Sequence, residues 1–104
     1  MNQLRNDPVR TNPELYTVVL ENDRVRVLEY RDSPGARTLP HDHPDSVMIT
    51  LSAFRRRLAH GAEGSGDTVD VDKTAGEVGW LPAQTHVGEN IGATGTHVVF
   101  VELK

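Results

Sequence analysis

The chain has 104 residues, enough for one small domain, and only 37% of them are apolar, with one Trp, two Tyr and two Phe to fill a core. Fifteen acidic against eleven basic side chains leave a formal charge of −4, the wrong sign for a protein that grips a nucleic-acid backbone. The absence of cysteine excludes disulfides, thiolate metal sites and thiol nucleophiles, and fits a reducing compartment. The N-terminal residues lack the apolar stretch of a signal peptide, and no apolar run approaches the ~20 residues of a membrane span. A cytoplasmic protein without membrane contact is expected.

Residues 1–14 are polar, hold Pro8 and Pro13, and read as an arm without a core role; residues 15–104 read as the folded domain. Runs rich in Val, Ile, Thr and Leu follow at 15–20, 24–31, 36–40, 46–53, 55–60, 67–72, 77–81, 86–90 and 96–103, separated by turn residues such as Glu21-Asn22-Asp23 and Ser33-Pro34-Gly35. Short strands at this spacing predict an all-β sandwich or barrel. No stretch carries apolar residues at helical spacing long enough for a helix. Residues 61–66, with three glycines, read as a flexible loop. Arg55, Arg56 and Arg57 would alternate faces on a strand, which lets one of them turn inward toward an acid or an anionic ligand. Trp80, beside Leu81 and Pro82, is expected in the core.

His41-Asp42-His43 is the first chemical signal. On a strand, residues two apart share a face about 7 Å apart along the backbone, so two imidazoles can converge on one ion. Pro40 and Pro44 bracket the triplet and disfavour a helix there. Gly35 lies upstream of it, and a second cluster holds Gly76, Pro82, His86 and Asn90.

These two clusters resemble the paired signature motifs of the cupin superfamily. Gly35, His41 and His43 match the first motif, and Gly76, Pro82, His86 and Asn90 match the second; together they span residues 35–90. Residues 45–49 and 99–104 resemble small cupins assigned to β-alanine degradation. The resemblance implies a single-domain cupin, a small antiparallel jelly-roll β-barrel, holding a metal through His41, His43 and His86. The sequence also departs from the pattern. The first motif's carboxylate would fall at Val47 or Met48, neither of which can supply a hard ligand; its closing glycine, near Phe54 or Arg55, is missing; and Gln84 replaces a glycine of the second motif.

Three neutral imidazoles leave two or three coordination positions open and do not offset an ion's double charge. Such a centre favours anionic, oxygen-rich ligands that chelate. Within the resembled family, three-histidine sites occur in dioxygenases that use Fe(II), so one divalent transition metal is expected, Fe(II) favoured, with Zn, Ni, Cu or Mn as alternatives. The expected activity is that of an oxygenase, lyase or isomerase on a small oxygenated acid or carbonyl compound; the alternative is a binding or sensing module without turnover. Met48, in the place of the usual Glu, and Thr50 on its face are candidates for the pocket wall. Asn90 stands either beside the ligands or in a turn, and Asp45 either swings in as a fourth ligand or forms a turn. A thin core and a first strand exposed at a sheet edge predict a homodimer in which residues 1–20 cross to the partner.

Overall fold

The structure, a computed structural model, describes residues 6–61 and 63–104. The first five residues of the expected arm, and Ala62 of the expected loop, lie outside the described residues. One helical turn, α1 (Pro8–Thr11), precedes the strands β1 (Tyr16–Glu21), β2 (Val25–Arg31), β3 (His41–His43), β4 (Ser46–Thr50), β5 (Phe54–His60), β6 (Thr68–Lys73), β7 (Val78–Leu81), β8 (Gln84–Asn90) and β9 (His97–Leu103). Among the described residues no helix is long and apolar enough to cross a membrane.

The strands form two antiparallel sheets, ordered β1-β2-β9-β4-β7 and β3-β8-β5-β6. Alternation decides which side chains meet between them. On β9, the central strand of the larger sheet, Val98, Phe100 and Glu102 are buried while His97, Val99 and Val101 are half-exposed. Tyr16, Leu28, Tyr30, Val98 and Phe100 from the larger sheet cluster with Phe54 from the smaller one. Complete burial of a side chain such as Leu28 is worth about 1.5–3 kcal/mol.

Three expectations need correction. The sheets do not close into a barrel: β1 and β7 end one sheet, and β3 and β6 end the other. Proline stops the ladders of two of these edges, since Pro40 and Pro44 flank β3 and Pro82 follows β7. The run at 36–40 is not a strand but a single bridge, Arg37 opposite Glu89 of β8, held by Thr38 N–H to the Gly88 carbonyl at 2.9 Å, Asn90 N–H to the Ala36 carbonyl at 2.9 Å and Gly88 N–H to the Thr38 hydroxyl at 2.9 Å. The pairing resumes at β3, where His41 faces His86 and His43 faces Gln84. Trp80 is not in the core but 56% exposed, because it pairs with Val47 on the outer face of the sheet.

The described part of the N-terminal segment packs against the strands, with Pro8 and Asn12 buried. Asp7 caps α1 by accepting from Val9 N–H at 3.0 Å, and its carboxylate also receives both terminal nitrogens of Arg26, at 2.8 and 3.0 Å. Arg26 in turn donates from Nε to Glu102 at 2.8 Å.

Candidate metal centre

His41 and His43 project from one face of β3, and His86 lies directly across from His41 on β8. All three are buried, and one nitrogen from each lies within 4.8 Å of the others. The outward nitrogens show which ones converge. His41 Nδ1 is 2.8 Å from the Leu39 carbonyl, which can only accept, so the proton sits on Nδ1 and the lone pair on Nε2. His86 Nδ1 is 2.7 Å from the Gln84 side-chain oxygen, and the Gln84 amide is held by its own bond to the Pro82 carbonyl at 3.0 Å. His43 Nδ1 faces Glu102 Oε2 at 3.8 Å, and both atoms are buried without a hydrogen-bond partner.

Inside the cluster, the Nε2 atoms of His41 and His43 are 2.9 Å apart. Two nitrogens bound at about 2.0–2.1 Å to one ion, at a right angle, lie about 3 Å apart. Burial, then the imidazoles of His43 and His41, push His86 down to about 2. Burial and His43 push His41 down to about 4, against the pull of the Leu39 carbonyl. Both rings are therefore neutral at neutral pH, with lone pairs free to coordinate. The donor set fits a divalent transition ion. Tyr16 closes one side, its hydroxyl 3.3 Å from His41 Nε2. Burial, then Tyr30 beside it, raise the Tyr16 phenol well above its ordinary range, so it keeps its proton.

The imidazoles open onto a cavity of about 200 Å³ between the sheets. Of the two positions where the family's carboxylate was expected, Met48 lines the cavity and Val47, opposite Trp80, does not. Thr50 shares the Met48 face but is not part of the cavity wall; it pairs with Val98, and its buried hydroxyl has no partner. Asn90 holds a turn and a neighbouring acid: its amide donates to Asp32 at 2.9 Å and to the Thr94 carbonyl at 2.8 Å, and its oxygen accepts from Gly92 N–H at 2.9 Å. Asp45 is exposed and stays out of the cluster; it accepts from Ala83 N–H at 2.8 Å, tying down the connection between β7 and β8 and not a turn of its own. His60 hydrogen-bonds the Asp67 carbonyl, and His97 pairs with Glu29 on the outer face at 2.7 Å.

Of the three arginines, Arg55 and Arg57 face outward toward Asp70 and Asp72, whereas Arg56 turns into the cavity. Glu102 was not singled out from sequence, and Gln84 stood out only as a departure from the second motif. The signal for both was alternation: Glu102 continues the inward series of Val98 and Phe100, and Gln84 is two residues before His86.

No protein-family model matches the sequence, and no curated protein matches it. Solved structures do. A cupin-domain protein from Bordetella pertussis is 28% identical, with 86% of this chain and 92% of that one covered and a TM-score of 0.76. A conserved protein with a double-stranded β-helix domain from Klebsiella pneumoniae is 22% identical over 99% of this chain and 82% of that one, at a TM-score of 0.66. Oxalate decarboxylase from Bacillus subtilis, described with Mn(II) centres, is 24% identical over 76% of this chain but only 21% of its own length, at a TM-score of 0.57. Together with the paired sheets and the inward histidines, these likenesses show that the chain has the cupin fold.

Proposed function

We propose that the protein binds one divalent transition metal through Nε2 of His41, His43 and His86, and acts there on a small oxygenated anion or carbonyl compound. The observation that carries this reading is the outward engagement of Nδ1 on His41 and His86, which turns their lone pairs to a common point. The Mn(II) centres described for the Bacillus subtilis oxalate decarboxylase support a divalent ion in this fold. Fe(II) is the favoured ion, and the activity is of the oxygenase, lyase or isomerase type. A bound ion would supply Lewis acidity toward oxygen donors. The protein's own contribution is shape and hydrogen bonding. Met48 and Phe100 wall the cavity against water, and the Tyr16 hydroxyl is placed to donate to a ligand oxygen beside His41.

Purified without chelators, the protein is expected to hold about one transition-metal ion per chain, and His86→Ala far less. Equal metal in the two would refute the assignment. Oxygen uptake by the iron-loaded protein, screened against small diketones and hydroxy acids, then tests turnover. A ligand that binds without reaction under every metal favours a sensing role.

The homodimer is part of the same proposal. Its support is that β1 ends its sheet with Val18, Val19 and Leu20 exposed. Light scattering that returns the mass of one chain at micromolar concentration counts against it.

A further inference from the structure

The cavity has a second polar end, built around a charge that the metal reading does not use. Asp32 lies just past β2, its side chain wholly buried, and accepts four hydrogen bonds: Tyr30 hydroxyl at 2.6 Å, Arg56 Nη1 at 2.6 Å, Thr96 N–H at 2.8 Å and Asn90 Nδ2 at 2.9 Å. Asp32 is thereby saturated, and its bond to Arg56 fixes where the guanidinium stands. Arg56 is also stacked over the Tyr30 ring at 4.8 Å from its centre. A guanidinium has five N–H donors, and among the described residues its side-chain hydrogen bonds to acceptors run from Nη1, to Asp32 and to Thr96 at 3.2 Å.

Nη2 points elsewhere. It packs against Gly88, 2.6 Å from where a Cβ there would stand, so a larger residue at that position would force it to shift. Gly88 and His86 are two apart on β8 and share the inward face, a step of about 7 Å along the strand. Arg56, His41, His43 and His86 line the one cavity, with apolar side chains such as Met48, Leu58 and Phe100 between the polar ends.

We propose that Arg56 is a carboxylate anchor: it takes the acid group of a small oxygenated acid whose remaining oxygens reach the three imidazoles. This rests on the metal reading and narrows its substrate class from any chelating oxygen compound to one that carries a carboxylate beside its chelating oxygens. A purely structural Arg56 would need only Asp32 and Thr96. Nη2 has no acceptor among the described residues, and Arg56 lines the same cavity as the three histidines. The planar fork suits a carboxylate, which can accept two bonds at once.

The test compares two ligands by calorimetry on the zinc-loaded protein: acetylacetone, and 2,4-dioxopentanoate, which carries the same diketone with one added carboxylate. Wild type is expected to bind the acid at least about tenfold more tightly, the ordinary worth of a charged hydrogen bond. The double variant Arg56→Met with Asp32→Asn removes both buried charges together and should bring the ratio to about one, with affinity for zinc and acetylacetone retained. Arg56→Lys keeps the charge and loses the fork, and its preference should fall several-fold. Circular dichroism checks that each variant is folded. No preference in wild type, or an undiminished preference in a folded, zinc-binding Arg56 variant, overturns the anchor. Wild type that takes up no zinc overturns the three-histidine reading instead, and that outcome is read separately from the metal titration.

Discussion

The two polar ends of the cavity are built on opposite plans. At the Arg56 end every polar demand of the buried acid is met, by one hydroxyl, one amide, one backbone N–H and one guanidinium. At the histidine end, Glu102 Oε2 and His43 Nδ1 face each other at 3.8 Å with neither bonded, and Nε2 of His41 and Nε2 of His43 stand 2.9 Å apart. An unmet buried polar atom costs about 1–3 kcal/mol. The saturated end is therefore rigid structure that carries a fixed charge, and the open end is where the fold bears a cost that a cation can offset. A cation held by Nε2 would polarise the His43 ring and strengthen Nδ1–H as a donor toward Glu102. Carboxylates behind metal-bound histidines act in this way.

The largest effect should come from breaking the saturated end. Asp32→Ala leaves the Arg56 guanidinium, with a side chain only 11% exposed, without its acid, and should cost about 3–5 kcal/mol in urea unfolding. A loss under about 1 kcal/mol would place Asp32 with surface ion pairs and erase the contrast. Glu102→Gln probes the open end. It keeps the shape but removes the charge behind His43, and should lower metal affinity about 10–100-fold, or about 1.4–2.7 kcal/mol, in a chelator competition. Unchanged metal affinity would make Glu102 a partner of Arg26 alone.

Met48→Glu brings an anionic oxygen to the open end, where it should tighten metal binding and weaken a bidentate anion such as oxalate. The same change at Val47, on the outer face, should move neither affinity. The smallest effect concerns pH. Burial raises the Asp32 pKa, but its bonds to Tyr30, Thr96 and Asn90 and the charge of Arg56 together outweigh burial and hold the carboxyl below its ordinary value of 3.8. A depressed native value gives a stabilisation that is complete above the unfolded value, near pH 4, and is lost as pH falls through the lower native one. Asp32→Asn should therefore flatten the acid limb of the stability curve below about pH 4, measured by urea midpoints.

His41 and His43 were legible because strand geometry is local, and His86 because the second cluster resembles the second cupin motif. A pair two apart shares a face, and the prolines around it exclude a helix. Most strand positions were legible for the same reason, since alternation and turn residues need no partner to be read. The sheet order was not legible, because it depends on which strands meet across the fold, and with it went the barrel that does not close. Glu102 could be placed on an inward face by alternation, but only the position of β9 between β2 and β4 sets it behind His43. Asp32 was not legible at all, because its burial depends on Thr96 and Asn90, more than fifty residues away along the chain.

Gly88 ties two positions together in descent as well as in space. While Arg56 stands, a Cβ at 88 meets its Nη2 at 2.6 Å, so the guanidinium must move off its bonds to Asp32 and Thr96 to admit one. Once Arg56 gives way to a shorter side chain, that barrier is gone, and the next contact to a Cβ at 88 is Leu58 at an ordinary 3.5 Å. Substitutions at the two sites are therefore easier in one order, 56 before 88. Among divergent copies of this chain, a side chain larger than hydrogen at 88 should be commoner where the arginine has been lost.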